Sequence, residues 1–194
     1  MLFVQKRNGN KETMKFDKIT ERISKLINPP ELQSLNLSYL DTSKETIYLD
    51  PIVVAQKVVA GMYPGITTEE IDLQSSEKCV NLSTKHPAYS LLGGRILISN
   101  LHKKTLNTFS DKVQYLADNT DIINKDFLSY VSQNKEALDK MVDYNRDYLF
   151  DYFGYQTLEK SYLLKNKKQI IERPQDMFLR TATTLQMGNL NKIK

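Results

Sequence analysis

The 194-residue chain has a single cysteine, two histidines and no apolar run near 18 residues. One cysteine, Cys79, excludes an internal disulfide and is typical of a reducing compartment. Two histidines, His86 and His102, argue against a zinc site. Without a long apolar run or a basic-then-apolar leader, the sequence predicts neither a membrane span nor a secretory signal. A soluble, cytoplasmic protein is therefore expected.

The composition is that of an ordinary folded protein. Hydrophobic residues make up 40% of the chain, and the mixed charges leave a net charge of +4. This mild positive charge allows an anionic ligand but does not indicate nucleic acid. The length predicts one or two domains with a sizeable core.

The first part of the chain predicts a β-hairpin that leads into a helix. Residues 2–7 and 12–16 alternate apolar and polar side chains around Asn8-Gly9, which favours a two-residue turn. Asp17 has the chemistry of an N-cap, and the apolar residues after it are spaced for one helical face over about residues 18–27.

Basic side chains cluster around this junction: Lys6, Arg7, Lys11 and Lys18. Beside the N–H groups and the positive dipole end of a helix, such a cluster suits a phosphate. The alternative is a solvated basic hairpin that caps the helix. Taken alone, the residues favour the solvated hairpin, because a run of charged residues usually forms a solvent-exposed face.

Three more helices are predicted after a loop at 28–49, which has a candidate strand at 46–49. Asp50-Pro51 opens the second helix, Thr67 with Glu70 has capping-box spacing for the third, and His86-Pro87 starts the fourth. Gly93-Gly94 lies in the middle of the fourth helix and predicts close packing against a neighbour, since glycine weakens a helix.

The pattern stays mostly helical beyond residue 105. An aromatic stretch at 144–163 is interpreted as core rather than as a cofactor site. The polar tail at 188–194 is expected to be frayed. The other predicted elements are helices at 109–117 and 127–142, a hairpin at 163–172 and a last helix at 175–185.

The opening residues resemble an ATP-cone, a regulatory nucleotide-binding module, through Val4-Gln5-Lys6-Arg7-Asn8-Gly9 and Phe16-Asp17-Lys18-Ile19. Later blocks, in the same order, are similar to the N-terminus of the large subunit of class I ribonucleotide reductase. The similarity runs from residue 2 to about residue 180. Its main later blocks are Thr67-Thr68-Glu69-Glu70-Ile71-Asp72, Thr84-Lys85-His86-Pro87-Ala88-Tyr89, Ser99-Asn100-Leu101-His102-Lys103, Tyr144-Asn145-Arg146-Asp147, Tyr152-Phe153-Gly154-Tyr155 and Glu172-Arg173-Pro174-Gln175.

The resemblance implies a mainly α fold. A small β-hairpin plus a four-helix ATP-cone would occupy residues 1–106, and part of the helical N-terminal reductase domain would occupy 107–187, followed by the tail at 188–194. The catalytic barrel would lie beyond this sequence. The connection at 28–49 is longer than is usual in the family and is interpreted as an insertion.

The resemblance also implies an allosteric site for ATP or dATP, together with Mg²⁺. Lys6 and Arg7 on the first strand, Lys18 at the first helix start and Lys103 on the fourth helix would hold the phosphates. Glu12 would accept hydrogen bonds from the base or shape the pocket. The alternative for Lys103 is a partner for the negative dipole end of the fourth helix.

Thr68 and Asp72 would lie at the sugar and base end of the nucleotide. A carboxylate near the ribose can discriminate ATP from dATP by one hydroxyl. The alternative for Asp72 is a charge on a helix surface, which the residues alone favour.

Neither histidine is expected to be catalytic. No nucleophile or carboxylate constellation is identifiable around His102, so a surface or pocket-edge position is expected. His86 is expected to cap or pack at a helix start, and Cys79 to be a small core residue.

The resemblance implies an effector-binding role in deoxyribonucleotide synthesis. Ribonucleotide reduction needs cysteines and a barrel that this sequence lacks, so the chain is not expected to be catalytic alone or to carry a redox cofactor. The expected partners are the rest of the large subunit or another large subunit and, through it, the small radical-generating subunit. No membrane or nucleic-acid partner is expected.

Two alternatives remain open at this point: a stand-alone nucleotide-sensing regulator and an inactive remnant of a disrupted reductase gene. A repressor that joins an ATP-cone to a zinc ribbon is excluded by the single cysteine. A basic nucleic-acid module is less favoured, because the positive residues are not interleaved with a stacking platform.

Overall fold

The computed structural model describes residues 3–35 and 48–193, which divide into two compact units. The first unit contains the described residues up to Asn100 together with Tyr148–Tyr155. The second contains Leu101–Asp147 and the described residues from Gln156 onward. The predicted domain boundary at 106/107 stays a prediction.

Helices dominate both units, and the predicted mainly α fold is confirmed. The elements before residue 103 are β1 (Phe3–Gln5), β2 (Lys11–Thr13), α1 (Phe16–Ile27), α2 (Pro30–Gln33), α3 (Pro51–Val59), α4 (Thr68–Leu82) and α5 (Ala88–His102). They are followed by α6 (Phe109–Asn119), α7 (Lys125–Gln133), α8 (Lys135–Met141), a 3₁₀ helix (Tyr144–Leu149), α9 (Tyr152–Ser161), β3 (Lys165–Asn166), β4 (Gln169–Ile170), α10 (Pro174–Leu185) and α11 (Leu190–Ile193).

The predicted hairpin of β1 and β2 is confirmed, but its turn is longer than predicted. The Lys6 N–H donates to the Asn10 carbonyl at 2.8 Å, and the Gly9 N–H donates to the Lys6 carbonyl at 2.9 Å. Gly9 has a positive φ of 83°. A three-residue loop closed by a left-handed glycine fits these bonds better than a two-residue turn. Arg7, expected on the first strand, therefore lies in the turn, and Lys6 follows the strand end.

The other edge of β1 pairs with the segment that enters α4. The Gly65 N–H donates to the Phe3 carbonyl and the Gln5 N–H donates to the Ile66 carbonyl, each at 2.9 Å. Gly65 adopts a φ of 86°, in the left-handed region that favours glycine. These bonds hold the first turn of α4 beside the hairpin.

Helix α1 begins earlier than predicted. Its N-cap is Lys15, with no capping hydrogen bond from its side chain, and Asp17 lies in the first turn rather than at the cap. The carboxylate of Asp17 remains favourable there because of the helix dipole. The predicted apolar face comprised Ile19, Ile23, Leu26 and Ile27, of which the first three are buried and Ile27 is half-buried.

The predicted starts of α3 and α4 are confirmed. The Asp50 carboxylate accepts hydrogen bonds from the N–H groups of Ile52 and Val53, at 2.8 and 3.3 Å. Thr67 and Glu70 form a reciprocal capping box, with the Thr67 N–H 2.8 Å from the Glu70 carboxylate. Helix α3 packs against both α1 and α4.

The predicted close packing at Gly93 and Gly94 of α5 is confirmed. A Cβ on Gly93 would lie 3.3 Å from the Ser76 carbonyl of α4, and a Cβ on Gly94 would collide with the backbone of Phe150 and Asp151. His86 caps the same helix as expected, since its Nδ1 accepts from the Ala88 N–H at 3.2 Å.

The stretch at 28–49 was predicted to be a loop, yet it contains the short helix α2. Most of the candidate insertion, and the first half of the candidate strand at 46–49, lie outside the described residues. Tyr48 and Leu49, the other half, are in a turn and irregular structure rather than in a strand.

The second unit has its own apolar core. The helices that form this core differ from the predicted ones in two places. The single helix expected at 127–142 is divided at Asn134, whose side chain caps α7 by donating to the Tyr130 carbonyl at 2.9 Å. The tail was expected to be frayed, but it forms α11, and Ile193 is packed into the core. The core residues are Phe109, Val113, Phe127, Val131, Leu138, Leu179 and Ile193.

The aromatic stretch at 144–163 is core only in part. Tyr148 and Tyr155 are buried, whereas Phe153 and Tyr162 are largely exposed. The predicted hairpin after it is confirmed as β3 and β4, and α10 begins at Pro174, one residue before its predicted start.

Within residues 3–35 and 48–193, none of the helices has the length and apolarity needed to cross a membrane.

Candidate functional site

Two carboxylates of the first unit each lie between two cationic side chains. The first is Glu12, on β2. Its two oxygens form ion pairs with Lys6, which follows β1, and with Lys18, in the first turns of α1. Both lysines are about half exposed. Three of the residues expected to bind the nucleotide are therefore in direct contact.

The second carboxylate is Asp72, on α4, which lies between Arg7 and Arg22. Arg7 Nη2 is 3.4 Å from Asp72 Oδ2, and Arg7 also donates to the side-chain oxygen of Asn100 on α5. Arg22, on α1, is 3.3 Å from each Asp72 oxygen, through Nε and Nη2. Its Nη2 also donates to Ser99 Oγ at 3.0 Å.

Asp72 is only 5% exposed, so the alternative of a helix-surface charge is wrong. A buried carboxylate is costly unless it is paired and hydrogen-bonded, and the two guanidinium groups supply both conditions. Packing of α1, α4 and α5 thus encloses a charged group that a helical pattern alone would assign to solvent.

The electrostatics of this region favour an anion. Four cations share two carboxylates here, so the set carries a positive charge beside the N-terminus of α1. The N-cap residue of α1, Lys15, makes no capping hydrogen bond through its side chain, and the positive dipole end of the helix favours a negatively charged group. Such an arrangement can bind a phosphate.

The other two residues that were predicted to bind the nucleotide are Thr68 and Lys103. Thr68 is the first residue of α4, one helical turn before Asp72 and half-buried. Lys103 follows α5 directly and is exposed, but it belongs to the second unit. Its participation in a site with Lys6 stays a prediction.

Sequence reasoning did not identify Arg22, Ser99 or Asn100 as members of the site. Sequence spacing could have identified Arg22, because it is four residues after Lys18 and therefore lies on the same face of α1. Ser99 and Asn100 had no signal beyond the family resemblance of the block at 99–103, because their partners in the cluster are 77 and 93 residues away in the chain.

The second unit contains a separate charged cluster. Lys112 and Asp176 are each 1% exposed and form an ion pair at 2.8 Å. The Lys112 ammonium also donates to the Tyr144 hydroxyl at 2.8 Å and lies 4.2 Å above the tyrosine ring. Burial lowers the pKa of Lys112 to about 8, although Asp176 opposes that change. Burial and the Asp176 carboxylate raise the pKa of Tyr144.

His102 was expected at the surface or at a pocket edge, but its Nε2 lies 2.8 Å from Asp147, which is fully buried. Burial raises the pKa of Asp147, and the bond to His102 opposes that change. Arg173 lies over the Tyr144 ring and donates to Thr105 Oγ1 at 2.7 Å. These groups satisfy one another's hydrogen bonds and charges. Such an arrangement is typical of a structural network rather than of a reactive site.

Cys79 is fully buried, as predicted for a small core residue. Burial raises the pKa of its thiol to about 12, so it is not a reactive thiolate. Among the residues that the structure describes, no group of three or more His, Cys, Asp and Glu side chains is placed to hold a metal ion.

Two families match this chain. Residues 2–104 match the ATP cone domain, and residues 148–193 match the family described as "Ribonucleotide reductase, all-alpha domain". The first match covers more than half of the chain.

Similar proteins include the ribonucleoside-diphosphate reductase large subunit of Caenorhabditis elegans, which is 40% identical over 188 residues. The large subunit of Vaccinia virus (strain Copenhagen) is 39% identical over 198 residues. These alignments cover 93% and 98% of this chain, but only 22% and 24% of the relatives. The chain thus spans less than a quarter of the length of the curated relatives it matches.

Proposed function

This chain belongs to the ATP-cone family and corresponds to an N-terminal portion of the ribonucleotide reductase large subunit, and from that premise we propose that it binds ATP or dATP as an allosteric effector. The observation that carries the proposal is the pair of carboxylates, Glu12 and Asp72, each held between two cations beside the N-terminus of α1.

The phosphates are proposed to bind Lys6, Arg7 and Lys18. In the pairs of Lys6 and Lys18 with Glu12, the lysines are about half exposed, and such pairs contribute little to stability. A triphosphate offers these cations more negative charge than one carboxylate does. Exchange of Glu12 for phosphate oxygens is therefore favourable, and it frees Glu12 to accept a hydrogen bond from the base. Lys103 is proposed as a further phosphate ligand, on the family resemblance alone.

Asp72, with Thr68 one turn before it, is proposed to face the ribose. A carboxylate accepts a hydrogen bond from the 2′-hydroxyl of ATP, and dATP has no hydroxyl at that position. A hydrogen bond to a charged group is worth about 1.5–3 kcal/mol. This interaction distinguishes the two nucleotides.

Magnesium is proposed to accompany the nucleotide. Mg²⁺ commonly binds through substrate phosphates and water with few protein ligands. The bound ion would neutralise part of the triphosphate charge, while the cations of this chain orient the phosphates.

The proposed regulatory mechanism is a population shift. A nucleotide that binds one arrangement of the cone more tightly favours that arrangement, and the coupling is reciprocal. The proposed partners are the rest of a large subunit or another large subunit and, through it, the small subunit. In that setting the chain regulates deoxyribonucleotide supply for DNA replication, in the cytoplasm, and is not catalytic alone.

The proposal is tested by isothermal titration calorimetry of the purified chain with ATP and with dATP, in the presence of Mg²⁺. We expect saturable binding that weakens about 10-fold to 100-fold in Lys6→Ala and in Arg7→Ala, because each removes a charge-assisted hydrogen bond. Asp72→Asn should weaken ATP binding more than dATP binding.

Lys25→Ala is the matched control. Lys25 is also on α1, is largely exposed and pairs with Glu21 on the same helix. The Lys25→Ala substitution removes one positive charge, as the test substitutions do, but leaves the cluster intact. ATP affinity should therefore stay close to that of the wild type. A folded wild-type chain that binds neither nucleotide would refute the proposed function.

A further inference from the structure

Glu12 places its two carboxylate oxygens against two of the lysines that are proposed to bind phosphate. Its Oε2 pairs with Lys6, and its Oε1 pairs with Lys18. The backbone of Glu12 is fixed in the hairpin, where it lies opposite Val4 of β1. One carboxylate therefore engages both lysines at once, with a separate oxygen for each.

The pair with Lys18 joins this carboxylate to the start of α1. Lys18 is the third residue of that helix, so its side chain projects from the first turn. The positive dipole end of a helix favours a negative charge nearby. Glu12 thus supplies what a phosphate group would supply at the same lysines, namely negative charge on more than one oxygen.

We propose that Glu12 is a built-in competitor for phosphate, whose carboxylate must leave Lys6 and Lys18 before a phosphate group can bind both lysines. This inference rests on the proposed function. The contact is autoinhibitory, because each ion pair that has to break lowers the affinity of the site for phosphate. Glu12 in this way sets the nucleotide concentration at which the site fills.

The exposure of the two pairs limits how strongly Glu12 competes. The side chains of Lys6 and Lys18 are 47% and 55% exposed, and that of Glu12 is 29% exposed. Water and salt screen such pairs, so each of them is weak. A triphosphate, which carries more negative charge than one carboxylate, displaces Glu12, but at a higher concentration than it would need without the competitor.

The test is isothermal titration calorimetry of the wild type and of Glu12→Gln with inorganic tripolyphosphate. This probe has no base or sugar, so it separates the competition from the proposed contact of Glu12 with the base. We expect the dissociation constant to fall about threefold to tenfold in Glu12→Gln, since an amide of the same shape has no charge to pair with the lysines. The gain for ATP should be smaller, because the substitution also alters the contact with the base.

Asp17→Asn is the matched control for the loss of a negative charge. Asp17 is an exposed acid in the first turn of α1, directly before Lys18. Its substitution removes a charge close to the site but keeps the two pairs of Glu12. We therefore expect a smaller gain in tripolyphosphate affinity than in Glu12→Gln.

Glu12→Asp separates the charge from the contact in a second way. It keeps the negative charge but shortens the side chain by one methylene group, so the carboxylate reaches the two lysines less well. We expect a dissociation constant between those of the wild type and Glu12→Gln. This variant also serves if Glu12→Gln does not fold, as judged by circular dichroism.

The outcomes distinguish the competitor role from the proposed function. A wild-type chain that binds ATP, with no gain in tripolyphosphate affinity in Glu12→Gln, would overturn the competitor role and leave the proposed function standing. Equal gains in Asp17→Asn and Glu12→Gln would overturn it as well, because charge alone would then explain the effect. A folded wild-type chain that binds neither ATP nor dATP would refute the proposed function and this inference with it.

Discussion

Lys112 Nζ lies 2.8 Å from a carboxylate oxygen of Asp176, and each of these side chains is almost completely buried. They join α6 to the first turn of α10. Asp176 also accepts from the Arg173 N–H at 2.7 Å, so the same carboxylate caps α10. The second unit is thus held together in part by a charge pair inside its fold, which has measurable consequences.

Lys112→Met should lower the free energy of unfolding by about 3–5 kcal/mol, because it leaves the buried Asp176 without its cation. Urea denaturation followed by circular dichroism measures this. Lys135→Met is the matched control, since Lys135 forms an exposed pair with Asp111 at 2.9 Å. It should change stability little. Equal effects of the two substitutions would contradict the importance of the buried pair.

Lys112 also predicts a dependence of stability on pH. Burial lowers its pKa to about 8, whereas an unfolded lysine has a pKa of about 10.4. Between these values the unfolded state binds more protons, so the contribution of Lys112 makes stability rise with pH, by at most about 1.4 kcal/mol per pH unit. The stability difference between wild type and Lys112→Met should therefore widen from pH 8 to 10. A constant difference would contradict this.

Burial of Cys79 predicts that stability depends on pH with the opposite sign. Burial raises the pKa of its thiol to about 12, against about 8.5 in an unfolded chain. Between these values the folded state binds more protons, so the contribution of the thiol is fully present below about pH 8.5 and is lost as pH rises toward 12. In urea denaturation at pH 8, 9 and 10, the stability advantage of the wild type over Cys79→Ala should shrink. An advantage that grows with pH would refute the buried position of the thiol.

Gly94→Ala should destabilise the first unit by about 2–3 kcal/mol, through overpacking. A Cβ there would be 2.6 Å from the Asp151 carbonyl carbon. Helix propensity alone predicts the opposite, since alanine stabilises a helix by about 1 kcal/mol relative to glycine. Thermal or urea unfolding distinguishes the two effects by their sign.

Gly93→Ala is the control for the neighbouring position. Its added Cβ would lie 3.3 Å from the Ser76 carbonyl, a contact that a small shift relieves. We expect a smaller loss of stability than for Gly94→Ala. A stabilised Gly94→Ala variant would show that α5 does not approach the backbone of Phe150 and Asp151 so closely.

The sequence by itself determined the elements whose causes are local. The Asp50 cap, the capping box of Thr67 and Glu70, and the buried face of α1 depend on residues two to four positions apart, so spacing alone predicts them. The close packing at Gly93-Gly94 was predicted for a similar reason, because two glycines inside a helix need a packing explanation. Where local signals compete, the predicted helix boundaries were wrong, as at the start of α1 near Asp17 and at the break between α7 and α8 at Asn134.

Only the tertiary structure decided which charges are buried and what they contact. The residues alone favoured a surface position for Asp72 on α4 and assigned no role to Arg22 on α1, because each helix alone leaves that face open. Their pairing spans 50 residues of sequence, and the bond between Arg7 and Asn100 spans 93. Spacing along one helix carries no information about such contacts. They arise because packing of several helices removes water from charged groups, which then must pair with one another.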